Sequence, residues 1–349
     1  MKKYNYIDLA KTIAMFLVIL FHSLLFFTDN PHWLFTADYR NDTATFLSNI
    51  LNCTVVPLFV FCSGFLFQLS TQKREMSTGA NILKRAKRLL LPYFLYRIFW
   101  LVPTYSIFDI PAYGRPKGSS LIYSYKSMLI GQFNDVSWFL AMLFWVSIIW
   151  IILRKFLKKE RIIIGAIVAI ALYFITHQLL AEMNYYALNE IDIYIVIFFV
   201  GASFFWITDK IYERSIPVLL LISIPGILIC AILAQYASLN YWLYSVVAII
   251  MPVVMIIFTM GLCKCAFMGK IGNTRIYKWL LKHNMDIYLM QAPGMYLSFM
   301  MVYPAVGWNC FLCVVICYIV TIAIDFVIVW LLTCVRSVLM GMRKTRKVE

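Results

Sequence analysis

Ten long runs of apolar residues constrain how this chain can fold more than any other feature. Each run is about 20 residues long, which is enough for a helix to cross roughly 30 Å of hydrocarbon. The runs are apolar on all sides, and they lack the short alternating segments that build a membrane β-barrel. They lie near residues 9–28, 46–69, 89–109, 137–153, 162–181, 191–207, 216–236, 241–263, 284–303 and 310–334.

The composition excludes a soluble protein. Hydrophobic residues make up 63% of the 349 residues and charged residues only 13%, whereas about a quarter of the residues of a soluble domain are charged. We therefore predict an all-α integral membrane protein, a bundle of about ten transmembrane helices. We expect one transmembrane domain over residues 1–349, with a basic tail from about residue 336.

The net charge of +15 is explained by topology. Most lysines and arginines fall on alternate inter-run segments, and the intervening segments hold few. Basic segments stay on the cytoplasmic side of a membrane, so both termini are predicted to be cytoplasmic. The basic excess then attracts anionic membrane lipid, and nucleic acid is not expected as a partner.

The first run holds three ionisable residues on nearly one helical face, namely Asp8, Lys11 and His22. Asp8 precedes Lys11 by three residues and is expected to pair with it. His22 follows Lys11 by eleven residues, so it lies about 16 Å further along the helix, and we expect it about half-way through the membrane. An imidazole can accept and return a proton near neutral pH. The simpler alternatives are a packing histidine and an interfacial lysine.

Two arginines stand at the predicted cytoplasmic entrance to the third run. Arg85 and Arg88 are three residues apart and share a helical face, which forms a fork suited to phosphate groups. The alternative is a plain positive-inside anchor. Arg97 and Asp325 lie inside the third and tenth runs, where they are expected to pair or to line a cavity. Metal binding is not expected, since Cys310 and Cys313 form a lone C-x-x-C without partner histidines.

The order of several short motifs resembles the acyltransferase 3 family of membrane-bound O-acyltransferases, over residues 5 to about 335. Each motif is weak alone, and their order is the more specific signal. The motifs are Asp8 with Lys11 and His22, Ser63-Gly64-Phe65, Arg85 and Arg88 before Pro92, Trp138-Phe139-Leu140, Phe198-Phe199-Val200-Gly201, and Asp286-Ile287-Tyr288-Leu289. Lys11 stands where the family usually has arginine, and Gln291 stands near a position that is often histidine.

The resemblance implies transfer of an acyl group, commonly acetyl, from cytoplasmic acyl-CoA to a hydroxyl of a surface or envelope glycan, or of a lipid-linked sugar. The implied location is the cell membrane, with no permanently bound cofactor. Arg85, Arg88 and Lys11 would contact the phosphates of the donor, and Asp8 would orient Lys11. His22 would act as general base or would take the acyl group transiently.

Other functional classes remain open at this stage. A secondary transporter or flippase would also have many spans, helix prolines and intramembrane charges, although no inverted repeat is apparent. A glycan polymerase would be expected to have a large outer loop rich in arginine, which is absent here. A non-catalytic scaffold would leave His22, Arg97 and Asp325 without a role.

Overall fold

Helices joined by loops and turns make up almost all of the part of the chain that the structure describes. The computed structural model describes residues 5–29, 36–73, 77–112, 114–133, 135–207, 221, 223–229, 241–265 and 274–345. The helices are α1 (Asn5–Leu25), α2 (Asp42–Asn52), α3 (Val55–Lys73), α4 (Thr78–Tyr96), α5 (Val102–Ile107), α6 (Leu121–Ile130), α7 (Trp138–Ile152), α8 (Ile162–Leu180), α9 (Ile191–Ile207), α10 (Tyr241–Cys265), α11 (Arg275–Val306) and α12 (Cys310–Thr345).

Within the described residues, six helical segments are long and apolar enough to cross a membrane. They are Tyr6–Leu25, Asp42–Gln72, Lys159–Leu180, Leu188–Trp206, Val246–Cys263 and Cys310–Cys334. Helix α7 is apolar but shorter, α4 carries four basic residues between Lys84 and Arg88, and α11 begins with a charged turn. Most of the run predicted at 216–236 lies outside the described residues. The all-helical, multi-pass prediction is thus confirmed, and the number ten stays a prediction.

The bundle has two chemically different ends. At one end the indole Nε1 of Trp206, in the last turn of α9, donates to the carbonyl of Leu157 just beyond α7, at 3.2 Å. At the other end the backbone amide of Asp38 donates to the hydroxyl of Tyr303 at 2.9 Å. We call the first end, which also holds Lys11 and Arg85, the basic end, and the second the far end.

Helices α3 and α9 pack with their backbones in contact. A Cβ atom on Gly64 would overlap the carbonyl oxygen of Phe198, and one on Gly201 would overlap the carbonyl oxygen of Phe61. Small residues allow this close approach between membrane helices. The two glycine-containing motifs of the sequence therefore face each other and join α3 to α9.

Replacing Gly201 by valine should destabilise the bundle, because the new side chain would meet rigid backbone rather than a flexible side chain. Overpacking costs about 1–3 kcal/mol, which a lower midpoint of thermal unfolding in detergent would report. Gly79→Ala is the control, since nothing lies within 4 Å of a Cβ there and alanine favours a helix. A Gly201→Val protein as stable as wild type would contradict this packing.

Candidate functional site

His22 lies in the last turn of α1 and is 8% exposed. Phe26, just beyond the helix, stacks on Phe299 of α11 with ring centroids 4.0 Å apart, and this contact holds the end of α1 against α11. The fully buried side-chain amide of Gln291 on α11 faces the imidazole. His22 therefore stands near the end of α1, which begins at Asn5 and ends at Leu25, and its depth half-way through the membrane stays a prediction.

The predicted ion pair between Asp8 and Lys11 is present. The Lys11 Nζ lies 2.9 Å from Oδ1 of Asp8, and both side chains remain about one-third exposed. Thr12 donates to the backbone carbonyl of Asp8 at 3.1 Å, inside the same turn. This pair lies at the basic end, some 16 Å along the helix from His22. The structure thus separates the three first-run residues into a charged pair and a distant buried imidazole.

Arg85 and Arg88 of α4 face different surroundings. The guanidinium of Arg85 is half-buried and stands 5.2 Å from the centre of the Phe67 ring on α3. Arg88 is exposed and lines an open depression with Lys84 and Lys87. The two guanidinium groups are still close enough to repel each other. The two side chains are thus less closely aligned than predicted, since only Arg85 is turned towards α3.

A cavity of about 500 Å³ opens at the basic end beside Arg85. The end of α3, the start of α4, the segment after α7 and the last turn of α9 enclose it. We call it the basic recess, because three cationic side chains come from residues 154–158. Its lining includes Phe67, Thr71, Asn81, Arg154, Lys155, Lys158 and Trp206.

Arg97 is almost fully buried and pairs with Asp135. Its Nη2 lies 2.9 Å from Oδ1 of Asp135 and donates to the carbonyl of Phe133 at 2.6 Å, while its Nε donates to Ser137 at 2.8 Å. The guanidinium also stands 4.2 Å from the ring centre of Tyr93. The prediction that Arg97 pairs with Asp325 is therefore wrong. The loop before α7 supplies the carboxylate of Asp135 directly opposite the guanidinium instead.

The helix widens at Arg97. Residues Arg97–Leu101 form a π-helical turn, in which the amide of Val102 donates to the carbonyl of Arg97. Such turns are frequent at functional sites. The turn joins α4 to α5 and places the long Arg97 side chain between the loop and the bundle.

Asp325 of α12 is fully buried against Gly294 of α11, where a Cβ would come within 3.0 Å of its Oδ1. Neither carboxyl oxygen has a hydrogen-bond partner among the residues that the structure describes. The hydroxyl of Tyr96 lies within electrostatic range of Asp325, Arg97 and Asp135. Buried ionisable groups are costly inside a membrane and mark functional regions.

These side chains converge around the middle of α11. Gln291 and Gly294 lie three residues apart on one face of that helix, so the groups near His22 and near Asp325 are neighbours. Tyr288, one turn earlier, donates to the carbonyl of Val136 at 2.5 Å, next to Asp135. We call Tyr96, Arg97, Asp135, Gln291 and Asp325 the polar cluster.

One face of α4 connects the basic recess to the polar cluster. Asn81, Arg85, Leu89, Tyr93 and Tyr96 recur at intervals of three or four residues and therefore share a face. From Arg85 to Tyr96 this face is about 16 Å long. It begins at a cationic cavity and ends beside buried titratable groups.

Sequence reasoning missed two parts of this arrangement. The sequence analysis did not single out Asp135, whose only signal is a position just ahead of the apolar run that starts at Ser137. Arg154, Lys155 and Lys158 were assigned only to topology, since exposed charges in a short connection give no sign of a cavity.

Removing the partner of Arg97 should destabilise the protein strongly. Asp135→Ala would leave a buried guanidinium without its counter-charge, which costs about 3–5 kcal/mol and lowers the midpoint of chemical unfolding. Asp42→Ala is the control, because Asp42 pairs with Arg40 but its side chain is 92% exposed, and exposed pairs contribute about 0–1 kcal/mol. Equal losses for the two variants would contradict the structural role of the buried pair.

Comparison with protein families gave a match over nearly the whole chain. A family model described as an acyltransferase domain, that of the acyltransferase 3 family, matches residues 4–330. Comparisons with curated proteins and with solved structures gave no significant match. The matched range includes His22, both arginines of α4 and the polar cluster. The motif resemblance is thus confirmed, and the chain belongs to the acyltransferase 3 family.

Proposed function

We propose that this multi-pass membrane acyltransferase transfers an acetyl group from cytoplasmic acetyl-CoA to a hydroxyl of a cell-surface or envelope glycan. The observation on which this proposal chiefly rests is the buried His22 facing Gln291, at the opposite end of α1 from the Asp8–Lys11 pair. Cationic groups and the reactive imidazole are thus held apart, as a donor with phosphates at one end and a thioester at the other requires. The family favours this function over transport, because it is a family of acyltransferases.

The donor enters from the basic end in this proposal. Positively charged segments stay in the cytoplasm, where acyl-CoA is found, and the basic end holds Lys11, Arg85 and Arg88. Guanidinium groups bind phosphate oxygens through two parallel hydrogen bonds, whereas an ammonium acts as a point charge. Arg85 is the better placed of the two arginines, since it lies on the α4 face that leads inwards. Asp8 holds Lys11 in position through their ion pair.

His22 is the general base. Its imidazole takes the proton from the acceptor hydroxyl while that oxygen forms a bond to the thioester carbonyl carbon. The carbon–sulfur bond then breaks, its electron pair stays on sulfur, and the thiolate of CoA takes the proton back from the imidazolium. Gln291 positions the ring, because a hydrogen bond to one ring nitrogen fixes which nitrogen can accept the proton. An amide cannot carry a proton itself, so a single histidine serves both transfers.

The acceptor hydroxyl reaches His22 from the far end. His22 lies in the last turn of α1, three residues before the helix ends. The buried carboxyl of Asp325 has no hydrogen-bond partner among the described residues, so it can offer hydrogen bonds to a polyhydroxylated molecule. The two substrates then meet from opposite ends of the bundle.

Replacing His22 by alanine should abolish acyl transfer and leave donor binding intact. General-base catalysis contributes about 100- to 10,000-fold, so label from radioactive acetyl-CoA should no longer enter extracted envelope glycan. His177→Ala is a matched control, because His177 pairs with Asp192 on the neighbouring helix at 2.8 Å, outside the polar cluster. Near-normal transfer by His22→Ala membranes would disprove this mechanism.

Variants of Lys11 should distinguish the contribution of its positive charge to donor binding from that of its hydrogen-bond geometry. Lys11→Ala removes a charged contact to the donor, each of which contributes about 1.5–3 kcal/mol, so the KM for acetyl-CoA should rise about tenfold or more with little change in kcat. Lys11→Arg keeps the charge and adds bidentate contact, so its KM should equal or fall below that of wild type. A KM unaffected by Lys11→Ala would remove this residue from the donor site.

A further inference from the structure

We propose that the basic recess binds the 3′-phosphoadenosine end of the donor, with Arg154 and Lys158 as ligands of its 3′-phosphate. This inference rests on the proposed function and extends it, since the motif residues of α4 do not include these side chains. The recess extends one helical turn further out than Arg85, because Asn81 of α4 lines it. The 3′-phosphoadenosine is likewise the end of CoA that is most distant from the thioester.

The walls of the recess match a phosphorylated nucleoside in chemistry. Arg154, Lys155 and Lys158 supply positive charge, and none of the side chains that line it in the described structure is acidic. Thr71 and Asn81 add neutral hydrogen-bonding groups, and Phe67 and Trp206 add aromatic surface. Aromatic rings stack on nucleic acid bases of any identity. A cavity of about 500 Å³ falls in the range of pockets that enclose small organic ligands.

The cationic segment is held in place by packing. Residues Arg154–Leu157 form a single 3₁₀ turn directly after α7. The indole of Trp206 donates to the carbonyl of Leu157, and Leu157 itself is buried. A Cβ on Gly165 would come within 2.5 Å of the carbonyl oxygen of Phe156, so glycine there lets α8 approach the turn closely. Such a site loses little conformational entropy when a ligand binds.

The recess is continuous with the donor path. Asn81 lines the recess, and Arg85 follows it by one turn on the same face of α4, with its guanidinium over the ring of Phe67. Phe67 lines the recess as well. A donor whose nucleotide lies in the recess would therefore pass its diphosphate by Arg85. Arg88, in the separate open depression, would make no contact with the nucleotide.

Anionic lipid headgroups share the phosphate chemistry of CoA, and exposed lysines and arginines near a membrane attract them. The experiment must therefore distinguish these two sources of phosphate. Purified full-length protein in phosphatidylcholine nanodiscs would be titrated with CoA and with 3′-dephospho-CoA. Two double variants would be compared, Arg154→Ala/Lys158→Ala in the recess and Lys159→Ala/Arg161→Ala beside it. Each pair removes one arginine and one lysine from the same exposed connection.

We expect wild type to bind CoA at least tenfold more tightly than 3′-dephospho-CoA. Arg154→Ala/Lys158→Ala should weaken CoA binding by at least tenfold and lose most of this preference, while Lys159→Ala/Arg161→Ala should stay within about twofold of wild type. The inference would be overturned if Arg154→Ala/Lys158→Ala kept both its affinity for CoA and its preference for CoA over 3′-dephospho-CoA. It would also be overturned if the two double variants weakened CoA binding equally. In a second set of nanodiscs that contain phosphatidylglycerol, loss of phosphatidylglycerol binding by the recess variant without any change in CoA binding would identify a lipid site and overturn the inference too. Wild type that binds neither nucleotide would instead contradict the proposed function.

Discussion

The buried contact between Arg97 and Asp135 is the interaction on which the arrangement of the site depends. A guanidinium inside a membrane bundle must have a counter-charge and further acceptors, and here all of them come from the loop and helix start at residues 133–137. The contacts of this one side chain fix α4, the loop and the first turn of α7 against one another. Tyr288 then bonds to the same loop, which brings α11 and its Gln291 into register with His22.

Because of this arrangement, the cationic groups proposed to bind the donor lie apart from the groups proposed to carry out the reaction. The cationic groups proposed to bind the donor lie at the basic end, where water and counter-ions reach them. The imidazole of His22 and the carboxyl of Asp325, which has no hydrogen-bond partner in the described part of the chain, are enclosed by helices. The α4 face between Arg85 and Tyr96 spans the distance. In the proposed function, a polyanionic donor would keep its phosphates hydrated at the rim while its thioester enters the bundle, which avoids the large cost of burying phosphate charge.

The sequence predicted features that depend on one helix better than features that depend on several. The apolar runs indicated the helices, and a spacing of three residues was enough to pair Asp8 with Lys11, since helical geometry alone decides that contact. Arg97 and Asp135 are separated by 38 residues and a loop, so nothing local selects the partner. The basic recess is formed by four separate segments of the chain. Its lysines and arginines fit the topology pattern, so nothing in the sequence suggested the second role that we propose for them.

A structure of the full-length protein in a nanodisc with a non-hydrolysable acetyl-CoA analogue would test the central claim most directly. The claim is that one donor path runs from the basic end to His22. The account predicts the nucleotide at the basic end, the diphosphate beside Arg85 and the thioester carbonyl next to the imidazole of His22. A nucleotide bound at the far end, or a thioester remote from His22, would contradict it.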